Sequence, residues 1–340
     1  MQDRKHYIDN LRVLAVLMLF PYHTFMIYNN WGENWYLHGK DLFIPSILNQ
    51  INYIWMMPLL FAVAGISSRY ALEKRSAGEY AKERTYKLLI PLLFGGLLLI
   101  PIQSYIAGVY FNQSANYLNF FTKLTDFSGY DGAFTPGQLW FILFLFVISI
   151  VCLPFMAWYK KKGKGNYGAG TPMLALVLLG ILPCIGSWVK IGGKSPTEYL
   201  AYFLLGYFFL SNEDLLKKLD QYRFWLFGLF VLYAGFMMFV LDGEFYEMAC
   251  WLSILAFLGL ARHYLNFSNK ATAYLSKSSF GVYLFHQSWI VIVGYFVLKI
   301  TSISILQILM ILLLSILLTF LTYEGSRRVP VLRWMFGLKK

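Results

Sequence analysis

The chain is 340 residues long, 58% hydrophobic and 19% aromatic, with only 14% charged residues. Water-soluble domains carry about a quarter charged residues, so a soluble enzyme is excluded, and the wealth of bulky apolar side chains excludes disorder. The formal charge of +12, from 29 Lys and Arg against 17 Asp and Glu, suggests nucleic acid unless its placement has another cause.

A spanning helix needs about 20 mostly apolar residues. In chain order ten segments qualify: 8–28, 51–71, 86–107, 138–158, 172–189, 197–211, 223–241, 245–261, 279–298 and 303–323. Pro183 and Pro196 are expected to kink or shorten the fifth and sixth. The apolar runs are continuous rather than alternating, which argues against a β-barrel. The expected fold is all-α: a polytopic helical membrane protein of about ten transmembrane helices, one domain over residues 1–340 with no separate soluble domain.

With the N-terminus in the cytoplasm, 24 of the 29 basic residues fall in cytoplasmic loops and termini and 5 in outer loops, while the acidic residues split 9 to 8. Lys and Arg are retained on the cytoplasmic side and acidic residues report little. That asymmetry predicts an N-in, C-in protein of the cytoplasmic membrane, and it accounts for the +12 without nucleic acid. The first span resembles a signal peptide, but no small-residue cleavage site follows, so it reads as an uncleaved helix. Cys152, Cys184 and Cys250 all fall within predicted spans and imply no disulfide framework.

Ionisable side chains inside a bilayer are costly and mark function by default. In the first span, YIDNLRVLAVLMLFPYHTF, Arg12 and His23 are eleven residues apart. Such a spacing puts both on one helix face, separated by about 16 Å along the axis. Asp9 lies one turn before Arg12 and can pair with it. Pro21 bends the helix just before the imidazole. Arg12 also suits a snorkelling anchor and His23 an interfacial residue, but a histidine titrating near neutrality suits proton transfer.

At the entrance to the third span, Arg84 and Lys87 share a face in KERTYKLLIP. They suit either simple positive-inside anchoring or a phosphate grip. His286, in SSFGVYLFHQSW, has Gln287 and Ser288 beside it; it reads equally as a core histidine or as a supporting group. IGGKS at 191–195 resembles the end of a phosphate-binding loop, but Trp188 stands where the first glycine is required. No metal-site pattern is present.

The outer loops are aromatic. Trp31, Trp35 and Tyr36 accompany Glu33, His38 and Asp41, and Phe120, Phe121, Phe127, Tyr130 and Phe134 accompany Asp126 and Asp131. Rings beside carboxylates suit a carbohydrate, and equally an interfacial aromatic belt.

Four segments, in order, resemble the acyltransferase-3 family of integral-membrane acyltransferases. YIDNLRVLAVLMLFPYHTF is similar to its opening helix and KERTYKLLIP to its third-helix basic motif. GQLWFILFLF, with Trp140, is similar to its Gly-x-Leu-Trp-Phe segment, and SSFGVYLFHQ to its late histidine stretch. The subgroup most resembled includes the glucan-modifying C-type proteins. The resemblance implies transfer of an acyl group, usually acetyl, from cytoplasmic acyl-CoA to a hydroxyl of a cell-envelope carbohydrate or glycolipid at the outer face. It makes His23 the essential histidine, Arg12 its upstream arginine, and Arg84 with Lys87 the holders of the CoA phosphates. Asp9, His286 and Trp140 would support the site. Lys87 stands where many members have a second arginine, and the helix of GQLWFILFLF lacks the glutamate that many relatives show there. Surrounding membrane lipid and separate glycan-synthesis proteins are the implied partners. The rival reading is a proton-coupled transporter or exporter using His23, Arg12 and His286 as a relay.

Overall fold

The computed structural model describes residues 5–31, 35–112, 136–162 and 170–339. The described residues form helices α1 (His6–Leu17), α2 (Leu19–Met26), α3 (Phe43–Lys74), α4 (Ala77–Arg84), α5 (Ile90–Leu98) and α6 (Ile100–Tyr110). After residue 136 come α7 (Trp140–Val151), α8 (Leu153–Lys161), α9 (Met173–Leu178), α10 (Ile181–Gly186) and α11 (Pro196–Leu205). The chain closes with α12 (Glu213–Gln221), α13 (Arg223–Phe239), α14 (Tyr246–Tyr264), α15 (Lys270–Ile300), α16 (Ser304–Arg328) and α17 (Pro330–Met335).

Each of the ten apolar segments is helical, but several are broken. The break at Met18 precedes Pro21, that at Leu99 precedes Pro101, that at Cys152 precedes Pro154, and that between α9 and α10 precedes Pro183. Proline removes one N–H and crowds the preceding turn, so these breaks follow from the sequence. Pro58, by contrast, sits inside an unbroken α3. The π-turn Thr85–Leu89 joins α4 to α5 immediately before Pro91.

Only four described helical runs are by themselves long and apolar enough to cross a membrane: Phe43–Lys74, Ala77–Tyr110, Lys270–Ile300 and Ser304–Arg328. Two bent pairs, Gly137–Val151 with Leu153–Lys161 at 44° and Glu213–Gln221 with Arg223–Phe239 at 72°, raise that number to six. The expected ten full spans are therefore four to six by length and apolarity, with shorter helices packed among them.

The α3 helix is the central post. Its Gly65 faces Gly206, just beyond α11, so closely that a Cβ on Gly65 would lie 2.0 Å from the Phe203 carbonyl oxygen and one on Gly206 would lie 2.1 Å from that of Ala62. Small residues at such crossings let backbones approach in an apolar solvent, where packing rather than water drives association. The core between α1, α3, α14 and α15 includes Leu11, Phe61, Ile66, Trp251 and Leu284, all fully buried. Large apolar side chains cover the outside of α13 and α16, among them Leu232, Phe239, Ile305, Leu313 and Leu321, as a lipid-facing surface requires. Cys152, Cys184 and Cys250 are free thiols.

The first helix keeps the two ends of the bundle apart. Arg12, on α1, meets Ser67 near the C-terminal end of α3; His23, on α2, shares a cavity with Asn49 and Tyr53 near the N-terminal end of α3. Of the basic residues expected on one side, Lys5, Arg75, Arg84, Lys160, Arg262 and Arg327 lie among the described residues at helix ends or in short connections.

Candidate active site

A cavity of about 750 Å3 opens at the His23 end of the bundle, within the size range of small-ligand sites. Segments distant in sequence build it: Tyr22 and His23 from α2, Trp31 and Trp35 from the following connection, Asn49 and Tyr53 from α3, Gln138 and Trp140 before and in α7. Lys194, Asp242, Tyr246 and Gln287 complete its wall.

His23 is gripped by rings. Its imidazole stacks on Trp35 with centroids 5.4 Å apart and planes 11° apart. It meets Tyr22 edge-on at 5.0 Å and lies 5.2 Å from the ring of His286. The Nδ1 atom of His23 is buried without a hydrogen-bond partner. His286 is fully buried, and its Nδ1 lies 2.7 Å from the Tyr283 carbonyl oxygen. A carbonyl only accepts, so that contact requires the proton on Nδ1 and leaves the lone pair on Nε2 in the neutral ring. Nε2 has no partner. The two histidines therefore form a pair with unspent hydrogen-bonding capacity, one of them held in a single tautomer.

Arg12 and Arg84 converge at the other end. Arg12 donates from Nη2 to Ser67 Oγ at 3.1 Å and from Nη1 to Asp9 at 3.1 Å. Arg84 donates from Nη2 to Ser68 Oγ at 3.0 Å and lies over the Tyr80 ring at 4.7 Å. Ser68 spends its own proton on the Ala64 carbonyl oxygen at 2.7 Å and also accepts from Tyr80 at 2.9 Å. Two consecutive serines thus hold guanidinium groups from separate helices. Lys87 is not part of this arrangement: it pairs with Glu83, whose other oxygen meets Arg75 at 2.8 Å. Along α3, the fully buried Phe61 lies between the cavity and Ser67–Ser68, packed on Tyr199 at 4.7 Å, Phe141 at 4.9 Å and Trp140 at 6.2 Å.

Among the expected site residues, the structure therefore brings His23, His286 and Trp140 to one end and Asp9, Arg12 and Arg84 to the other. Trp31, Trp35 and Tyr36 line the cavity, while His38 pairs with Asp41 at 3.0 Å. Glu33 and the Phe120–Phe134 aromatics with Asp126 and Asp131 lie outside the described residues. No group of three metal-ligating side chains occurs among the described residues.

Three cavity features were not legible beforehand. The IGGKS segment forms a tight turn with Gly192 and Gly193 at positive φ, where glycine pays no steric penalty. That turn swings Lys194 over the Trp140 ring at 5.0 Å and the Tyr53 ring at 5.5 Å. Asn49, 1% exposed, has neither amide atom paired. Glu198, beside the cavity and 2% exposed, accepts from the Tyr246 hydroxyl at 2.9 Å. The signal for Asn49 and Glu198 was their polarity in an apolar setting; only their neighbours give it meaning.

The acyltransferase-3 family model, described as an acyltransferase domain, matches residues 5–324. Proteins named glucans biosynthesis protein C from Salmonella heidelberg (strain SL476), Salmonella paratyphi B and Salmonella enteritidis PT4 are each 20% identical to this chain. Those alignments cover 99% of this chain and 95% of each relative. No solved structure matches.

Proposed function

The chain belongs to the acyltransferase-3 family, and from that premise we propose that this multi-pass membrane protein moves an acyl group, acetyl in the first instance, from cytoplasmic acyl-CoA to a carbohydrate hydroxyl at the opposite face. The observation that carries the reading is His23: an imidazole with a buried, unpartnered nitrogen, held between Trp35 and His286 in an aromatic cavity. The names of the glucan-biosynthesis relatives support a carbohydrate acceptor. The Arg12–Arg84 end is cytoplasmic in this reading, in keeping with the positive-inside rule. The bundle is N-in and C-in and sits in the inner membrane.

His23 takes the proton of the acceptor hydroxyl as its oxygen attacks the thioester carbonyl. The tetrahedral intermediate collapses with cleavage of the C–S bond, and the departing CoA sulfur takes the proton back from His23. His286 is a positioning residue: its ring, anchored by the Nδ1 contact with the Tyr283 carbonyl oxygen, packs 5.2 Å from the His23 ring and limits how that ring turns. Arg12 and Arg84 hold the phosphates by charge-assisted hydrogen bonds, with Lys87 an outlying charge. Asp9 fixes Arg12, and Trp140 forms part of the cavity wall. In this reading the pantetheine arm has to pass the level of the fully buried Phe61, where the cavity wall closes between His23 and the arginines.

The test is release of free thiol from acetyl-CoA, with ester formation on added gluco-oligosaccharides, by purified protein in detergent or vesicles. Loss of both in His23→Ala, with the protein still folded and inserted, supports the reading; retained transfer overturns it. Uptake or efflux driven by a pH gradient, without CoA release, would instead mark a transporter.

A further inference from the structure

Three glutamines near His23 form a chain of amides with one direction. Gln138 donates from Nε2 to the Leu284 carbonyl oxygen at 3.0 Å. Its Oε1 accepts from Gln103 Nε2 at 3.2 Å. Gln103 in turn accepts through Oε1 from Gln287 Nε2 at 3.0 Å, and its Nε2 also reaches Ser288 Oγ at 2.7 Å. The backbone carbonyl at the start cannot donate, so the amide orientation is settled at every link. All three side chains are buried, Gln103 completely. The chain ends at Gln287 Oε1, which has no partner, on a residue that lines the cavity.

A second buried amide lines the same cavity. Asn49 is 1% exposed, and neither its Nδ2 nor its Oδ1 is hydrogen-bonded. Buried polar groups are nearly always paired, because leaving one unmade forfeits its hydration without return. One acceptor of fixed polarity and one amide offering both a donor and an acceptor match a ligand carrying adjacent hydroxyls, each able to donate and accept. The flat rings of Trp35, Tyr53 and Trp140 around them suit the apolar face of a sugar ring.

Resting on the acyl-transfer reading above, we propose that Gln287 and Asn49 are the specificity-determining residues for the acceptor. Gln287 Oε1 accepts a hydrogen bond from one sugar hydroxyl and the Asn49 amide binds its neighbours, so that a single hydroxyl is left facing His23. Gln103 is a positioning residue that keeps the Gln287 amide from turning over. The pair thereby decides which position of the sugar is acylated.

The experiment compares wild type with Gln287→Leu, Asn49→Leu and Gln103→Leu. The donor is acetyl-CoA, and the probes are cellohexaose, laminarihexaose and maltohexaose. The KM for the best probe, the KM for acetyl-CoA and the position of the product ester by NMR are measured. We expect the probe KM to rise tenfold or more in Gln287→Leu and Asn49→Leu, and the ester to spread over several hydroxyls in Gln287→Leu and Gln103→Leu. The acetyl-CoA KM should stay within twofold. Unchanged probe KM and one ester position in all three variants overturn the proposal while the acyl-transfer reading stands. Absence of any transfer by wild type overturns that reading, and this proposal with it. Should the leucine variants fail to fold, Gln287→Met and Asn49→Ala remove the same amide groups and carry the same two readouts.

Discussion

His23 and His286, one near each end of the chain, hold their imidazole rings 5.2 Å apart beside an aromatic cavity. His286 is committed to one tautomer by its contact with the Tyr283 carbonyl oxygen, 2.7 Å away, so the pair is asymmetric: one ring is anchored and the other faces the cavity. A general base typically contributes about 100- to 10,000-fold to rate. His23→Ala should therefore lower transfer by at least about a hundredfold. His286→Ala, which removes only an orienting contact, should lower kcat less and leave both KM values nearly unchanged. Steady-state kinetics on the two variants checks the order. A larger loss from His286→Ala would reverse the assignment.

Arg84→Gln and Arg12→Gln should act on the donor. Hydrogen bonds to charged groups contribute about 1.5–3 kcal/mol, which corresponds to roughly 10- to 100-fold in the KM for acyl-CoA at about 1.4 kcal/mol per tenfold. Lys87→Ala should change it little, because the Lys87 side chain is 51% exposed and already paired with Glu83. Dephospho-CoA derivatives as competing ligands would show whether the arginines read phosphate. A Lys87 effect equal to that of Arg84 would refute the division.

The close crossing of α3 and the segment after α11 is a packing constraint. Any side chain at Gly65 or Gly206 would meet backbone at about 2 Å, which a rotamer change cannot relieve. Gly65→Ala and Gly206→Ala should each cost about 3 kcal/mol, measured as a drop in thermal midpoint in detergent. Gly96→Ala, where a Cβ has open space, is the matched control.

Part of any stability change at low pH should trace to Glu213. This residue begins α12, whose five charged residues in nine leave the apolar, membrane-crossing part of its bent pair to Arg223–Phe239. Glu213 meets Lys5 at 2.5 Å through one oxygen and Arg262 at 2.5 Å through the other. Burial pushes its pKa up, but the hydrogen bonds and charges of Lys5 and Arg262 outweigh it and bring the carboxyl below the usual range. A carboxylate with a lowered folded pKa stabilises the protein above its unfolded pKa of about 4.3 and loses that contribution as pH falls further. The thermal midpoint should decline below about pH 4.3, and Glu213→Gln should flatten that decline while lowering the plateau above it.

Composition and charge asymmetry sufficed to mark an all-helical membrane protein, because hydropathy and the placement of Lys and Arg are local properties read one segment at a time. Pro21 and Pro183 likewise announced two of the helix breaks, since each acts on its own preceding turn. The pairing of Asp9 with Arg12, one helical turn away, was legible for the same reason. What the linear chain left open was everything that needs a second segment. Whether Arg84 lies beside Lys87 or turns to the serines of α3 that also hold Arg12 was decided by Ser67 and Ser68. Lys194, in a glycine turn that looked like a failed phosphate loop, lines the cavity because the fold brings its ammonium over the Trp140 ring. The direction of the Gln138–Gln103–Gln287 chain and the unpaired amide of Asn49 exist only in the folded bundle. Apolar patterning places a helix in the membrane; hydrogen bonds between helices are short and directional, so only the tertiary packing decides which polar atoms are satisfied and which remain for a ligand.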